Sequence, residues 1–175
     1  MNTGMRKERE KKMEYQHLQH TFEPVFDTES RILILGSFPS VKSRENNFFY
    51  GHPQNRFWKM LAAICREEIP TDIQEKRMLL LRHHIALWDV IASCEIEGSS
   101  DASVRNAVPV DISLITNVAP IERVICNGKL AAKLYHQHLE TLVGLPAVAM
   151  PSTSPANASC SLEKLIQAWQ SALLQ

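Results

Sequence analysis

No stretch of this chain approaches the ~20 consecutive apolar residues that a membrane-spanning helix requires, so no membrane partner is expected. The phosphate-loop pattern GxxxxGK, the dinucleotide pattern GxGxxG, the hydrolase elbow GxSxG and the zinc-protease HExxH are all absent, and each of those chemistries lacks its physical parts. Net charge is missing too: 19 Lys and Arg balance 19 Asp and Glu, which removes any global electrostatic argument for a nucleic-acid partner. Any such partner must be held by a local patch, and Lys42, Arg44, Arg56 and Lys59 against Glu45 form one candidate, which also reads as an ordinary solvated face. Cys65, Cys94, Cys126 and Cys160 lie far apart, with no CxxC pair and no His at ligand spacing. Reduced thiols, a cytoplasmic location, no metal and no cofactor are the expectation.

What is present is enough for one core of ordinary size: 175 residues, 45% hydrophobic and 22% charged. There is no internal repeat and no low-complexity segment. Residues 1–20, MNTGMRKEREKKMEYQHLQH, are basic with no apolar run after them, so they do not read as a secretion signal. They read as a charged, partly ordered arm ahead of a single domain over 21–175.

Within that domain RILILG (31–36), IALWDVI (85–91), RVIC (123–126) and AVAM (147–150) are short, apolar and branched, as strands buried on both faces should be. A helix starting near Asn55 places Phe57, Met60, Leu61 and Ile64 on one face, and a C-terminal helix does the same with Leu162, Leu165, Ile166, Trp169 and Leu173. Residues 73–83 and 128–138 fit helices less sharply. Strands alternating with helices imply an α/β fold, a three-layer αβα sandwich with a central, mainly parallel four-stranded sheet.

Ligands of such sheets bind beyond the carboxyl ends of the strands. That rule selects Gly36-Ser37-Phe38-Pro39-Ser40 and its continuation, Trp88-Asp89 with the loop to Asp101, Asn127-Gly128-Lys129, and Pro151 to Asn157. Ser37, Ser40, Ser152 and Ser154 suit phosphate oxygens and equally suit helix caps and turns. In the loop run Phe48-Phe49-Tyr50, two rings are expected to plug the core and Tyr50 to stack on a planar partner. Asn55 reads either as a helix cap or as a carboxamide that holds a water. Asp89 reads as a loop cap or an electrostatic group.

GSFPS (36–40), YGHPQNRFWKM (50–60), CNGKLA (126–131) and MPSTSPANASCSLEKL (150–165) resemble the uracil-DNA glycosylase superfamily, and within it the hypoxanthine-DNA (DNA-deoxyinosine) glycosylase branch, over about residues 31–170. The mismatch-specific and thymine-DNA branch is similar, but it has an Asn in its first motif where this chain has Phe38. The departure agrees with the deoxyinosine branch, where the Asn of HPxNRFW, here Asn55, is the residue implicated in catalysis.

The resemblance implies a monofunctional glycosylase that hydrolyses the N-glycosidic bond of a flipped, deaminated base in DNA during base-excision repair. Asn55 would position water. Gly36, Ser37 and Phe38, with Tyr50 and His52, would hold the base; His52 reads equally as a backbone-bonded loop residue. Ser40, Lys42, Arg56, Lys129, Ser152, Ser154, Pro155, Ala156 and Asn157 would contact DNA, the Pro155–Asn157 portion filling the vacated stack. Lys129 reads as a helix-start residue or phosphate contact rather than a nucleophile. The expected partner is DNA carrying a deaminated base, with the protein a monomer. Two further readings remain open, a uracil/thymine mismatch glycosylase and a catalytically silent nucleic-acid-binding module.

Overall fold

Apolar runs without polar alternation are satisfied only where both faces of a strand are covered. Leu33, Ile34, Leu35, Leu87, Val124 and Ile125 are accordingly all wholly buried. The computed structural model describes residues 14–98 and 100–175. The chain runs β1 (Gln16–Gln19), β2 (Ile32–Gly36), α1 (Val41–Asn46), α2 (Phe57–Cys65), α3 (Ile73–Arg82), β3 (Ile85–Asp89), β4 (Ile91–Ile96), β5 (Arg105–Pro109), α4 (Ser113–Thr116), β6 (Arg123–Asn127), α5 (Lys129–His138), α6 (Glu140–Val143), β7 (Ala147–Met150) and α7 (Leu162–Leu173). Among the described residues no helix is long and apolar enough to cross a membrane.

β3, β2, β6 and β7 form a parallel sheet in that order, flanked by helices, which is the α/β architecture expected. Each helix has a local reason. Asp72 caps α3 by accepting from Glu75 N–H at 2.8 Å, and Ser161 caps α7 through Lys164 N–H. α2 buries Phe57, Trp58, Met60, Leu61 and Ile64, while α7 buries Leu165, Trp169, Ala172 and Leu173 and packs against α2. The Trp169 indole N–H donates to Pro151 C=O at 3.0 Å, tying α7 to the loop that follows β7.

Three expectations change on contact with the structure. IALWDVI is not one strand: β3 ends at Asp89, and beyond Val90 the chain continues as β4 in a second, antiparallel sheet, β1-β4-β5. The connection read as a loop to Asp101 is thus the outgoing strand of a hairpin. AVAM is a strand but not one buried on both faces, because β7 lies at the sheet edge and Val148 is 42% exposed. Residues 1–13 of the charged arm lie outside the described residues, whereas Gln16–Gln19 of the same arm pair with Ser93–Ile96 of β4.

Ile34 sits in the interior strand β2 with no solvent exposure. Truncation to alanine there should lower stability by about 2–5 kcal/mol. A urea titration should show the midpoint falling at unchanged slope; an unshifted midpoint would contradict the packing of β2.

Candidate active site

Parallel strands deliver their carboxyl ends to one edge, and register decides which residues meet there. Gly36 pairs with Asp89 across β2 and β3, and Asn127 pairs with Met150 across β6 and β7. A cavity of about 380 Å³ opens at this edge, within the roughly 300–1,000 Å³ of small-molecule sites. It gathers Gly36, Ser37, Phe38, Ser40, Lys42, Tyr50, His52, Asn55, Ser152, Ser154, Pro155 and Ala156. Arg56, Lys129 and Asn157 are not among its lining residues.

The aromatic run divides as its chemistry suggests. Phe48 and Phe49 are buried, Phe48 stacked on Trp58 with centroids 6.0 Å apart, and the Trp58 indole N–H donates to Phe49 C=O at 3.1 Å. Tyr50 is half-buried at the cavity wall, its ring 4.3 Å from that of Phe57. Its backbone is left-handed, with φ of 53°, a strained conformation for a bulky residue. The Tyr50 hydroxyl is buried and has no hydrogen-bond partner among the described residues. Burial first, and the nearby Asp89 carboxylate second, raise its pKa far above the ordinary tyrosine range, so it stays a protonated donor.

Asn55 is fixed by a directional relay. Thr153 N–H donates to Asn127 Oδ1 at 3.1 Å, Asn127 Nδ2 donates to Thr153 Oγ1 at 3.0 Å, and the Thr153 hydroxyl therefore donates onward to Asn55 Oδ1 at 2.9 Å. Phe57 N–H donates to the same Oδ1 at 2.9 Å. A backbone N–H can only donate, so each amide orientation follows. Both lone pairs of Asn55 Oδ1 are used, and what remains to offer the cavity is the Nδ2 amide, a pure donor. Asn55 is not the N-cap of α2, a position Arg56 holds without a side-chain cap bond; its Oδ1 closes an Asx turn on Phe57 N–H just ahead of the helix, and that turn fixes its NH₂ group.

His52 makes the backbone bond that one reading anticipated: Nδ1 accepts from Gln54 N–H at 3.1 Å, which leaves Nε2 as the ring's donor. Ser40 caps α1, accepting from Ser43 N–H, and Ser152 and Ser154 accept from Ser154 N–H and Ala156 N–H as turn formers. Lys42 lies on the rim, exposed and paired with Glu45 at 3.2 Å. Lys129 is the exposed first residue of α5.

Arg56, expected to contact DNA, spends its guanidinium inside the protein. It donates to Ser154 C=O at 3.0 Å, to Asn157 C=O at 3.1 Å and to Cys160 C=O, gripping the 151–160 loop. The Asn157 side chain braces the same loop by donating to Ser152 C=O at 3.0 Å. Sequence reasoning selected the segments of Asn127 and Thr153 without assigning either residue a part. His20 lay in a segment read as an arm and carried no signal. Its Nε2 meets Asp89 Oδ2 at 2.7 Å, and the side chains of the two are 5% and 4% exposed.

The site thus offers an aromatic slot, amide and hydroxyl donors, and one deeply buried carboxylate. Residues 23–173 match the family described as the Uracil DNA glycosylase superfamily. The chain is 34% identical over 142 residues to a protein named hypoxanthine DNA glycosylase from Methanosarcina acetivorans, covering 80% of this chain and 89% of that one. It is 33% identical over 138 residues to a protein of the same name from Methanosarcina barkeri, covering 78% and 86%. A solution structure of a Methanosarcina acetivorans protein, described as a candidate uracil DNA glycosylase, superposes with a TM-score of 0.75 at 30% identity, covering 87% of this chain and 94% of that one.

Replacing Thr153 by the near-isosteric valine removes the centre of the relay and strands Asn127 Nδ2 without its acceptor. The expected loss is about 1–3 kcal/mol, read from chemical denaturation. An unchanged midpoint would mean that the relay does not hold Asn55.

Proposed function

The chain belongs to the uracil DNA glycosylase superfamily, and on that premise we propose that it is a monofunctional glycosylase that excises hypoxanthine from deoxyinosine in DNA. The observation that carries the reading is the Asn55 carboxamide, locked by the Thr153–Asn127 relay with its donor side toward an aromatic slot. The names of the Methanosarcina relatives support the choice of base.

A base inside a duplex is out of reach of such a slot, so the nucleotide must swing out, which costs a few kcal/mol and least for a mispaired base. Tyr50 and Phe38 then flank the extruded ring, and Pro155-Ala156 enter the space it leaves. Backbone N–H groups of the Gly36–Phe38 turn and the His52 Nε2 donor face the departing base. The Asn55 NH₂ holds the attacking water by its oxygen.

Bond breaking passes through an oxocarbenium-like state, positive on the sugar and negative on the base. Preorganised donors around the base and a carboxylate near the sugar lower its energy. Lys42 is the one lysine among the lining residues, exposed and ion-paired, and this supports hydrolysis by water over a Schiff-base route.

The test uses labelled duplexes bearing a single deoxyinosine or a single uracil, followed by alkali. Cleavage at deoxyinosine supports the proposal. Cleavage at uracil alone would instead indicate a mismatch-type enzyme, and binding without cleavage a silent module. Asn55→Ala should lower single-turnover excision by roughly 100-fold or more, with about 1 kcal/mol of stability lost through the missing hydrogen bonds to Phe57 N–H and the Thr153 hydroxyl. Full-rate excision by that variant would remove Asn55 from the chemistry.

A further inference from the structure

The relay that orients Asn55 leaves a gap in the chemistry. With both lone pairs of Oδ1 engaged, Asn55 cannot accept a hydrogen from water, yet hydrolysis must deliver one somewhere. The cavity holds two carboxylates, Asp89 and Asp101. Asp101 begins the short turn of the β4–β5 connection; its side chain is largely exposed although its surroundings raise its carboxyl pKa through burial, and it is fixed by no side-chain hydrogen bond to a described residue. Asp89 is 3% exposed and stands at the carboxyl end of β3, beside Gly36.

One Asp89 oxygen, Oδ2, takes the His20 Nε2–H at 2.7 Å. Oδ1 has no hydrogen bond to any described residue and lies against Gly36. A Cβ there would collide with it and would come 3.0 Å from the Tyr50 hydroxyl. His20 is itself held firmly: its N–H donates to Ala92 C=O at 2.8 Å, and its ring packs 4.4 Å from Phe22 and 6.2 Å from Phe38. A purely structural ion pair is weakly motivated here, because a buried carboxylate is costly and replacing a buried pair by apolar residues is often neutral or stabilising.

The geometry points to Asp89 as the group that receives the proton of the attacking water, through Oδ1, with His20 as the positioning residue that fixes the carboxylate; the assignment rests on the glycosylase reading. The C1′–N bond breaks with its electron pair going to the base. The water oxygen bonds to C1′, and its proton passes to Asp89 Oδ1. That proton then passes to the anionic nitrogen of the departed base, directly or by way of solvent, giving an abasic sugar and a neutral free base. Before the proton moves, the carboxylate charge also stabilises the cationic sugar.

The experiment measures single-turnover excision of deoxyinosine by the wild type, Asp89→Asn, His20→Ala and His20→Gln. It also measures their binding to duplexes carrying a pyrrolidine or a tetrahydrofuran abasic analogue, cationic and neutral mimics of the sugar. Asp89→Asn should lose about 100-fold or more in rate. It should bind the tetrahydrofuran duplex as the wild type does and lose the wild-type preference for pyrrolidine. His20→Ala should lose rate, and His20→Gln, which restores a donor near the Nε2 position, should recover much of it.

Wild-type rates in Asp89→Asn would overturn this assignment and leave the glycosylase reading standing. A wild type inert on both deoxyinosine and uracil would overturn that reading, and this assignment with it. Should Asp89→Asn fail to melt cooperatively, the two His20 variants decide, since equal losses in Ala and Gln contradict a donor-dependent role.

Discussion

The grip of Asn55 and Arg56 on the loop after β7 is the constraint from which the rest of the site follows. A polar loop at a sheet edge exposes carbonyls that water would otherwise solvate, and its position is then undefined. Here a rigid guanidinium fork engages the carbonyls of Ser154, Asn157 and Cys160, while Arg56 N–H donates to Thr153 C=O at 3.1 Å. With the loop held, Thr153 lies where it can bridge Asn127 and Asn55. The loop also rests on the turn into α5: Gly128, at φ +96°, would place a Cβ 3.3 Å from that of Ser152. Three rim segments that are remote in sequence therefore behave as one body.

The opposite wall rests on a different device. Gly36 and Asp89 are register partners, and the missing side chain at Gly36 lets a buried carboxylate and the Tyr50 hydroxyl share one corner. Tyr50 is kept in its left-handed conformation by its neighbours, with Phe49 buried beside it and Phe57 packed on its ring. Strain of this kind persists only where surrounding structure over-determines it. The buried aromatic cluster supplies that determination, and α2 carries both Phe57 and the end of the Asn55 relay. The helix start thus couples the two walls.

Much of this was legible in the sequence. Branched apolar runs marked the parallel strands, because burial on both faces leaves that trace in β2, β3 and β6, while the edge strand β7 kept the run without the burial; the strand-end rule selected the segments that surround the cavity. The burial of Phe48 and Phe49 followed from the cost of exposing rings on a loop. What the sequence hid was pairing at a distance. Nothing near Gln16–Gln19 announces a strand whose partner is β4, and the turn at Val90 is invisible in an apolar run that simply continues. His20 owes its place to that strand, so the Asp89 pair was hidden with it. Arg56 illustrates the reverse case: a cation in a motif was read as facing a phosphate, whereas the same charge serves backbone carbonyls almost a hundred residues later.

On the glycosylase reading, the internal use of Arg56 bears on how DNA is recognised. With the Arg56 guanidinium turned inward, Lys42 paired to Glu45 and a formal net charge of zero, counterion release, the main source of sequence-independent affinity, gets no support from global charge. Hydroxyls and backbone N–H groups at the rim can position a phosphate backbone but carry no charge of their own. The protein's selectivity arises at extrusion, where a mispaired deaminated base swings out at a smaller penalty than a paired one and meets a slot already assembled by the relay. On that reading a near-neutral chain and a pocket held by the relay are two halves of one arrangement, since firm binding everywhere would slow the search that a preformed pocket makes worthwhile.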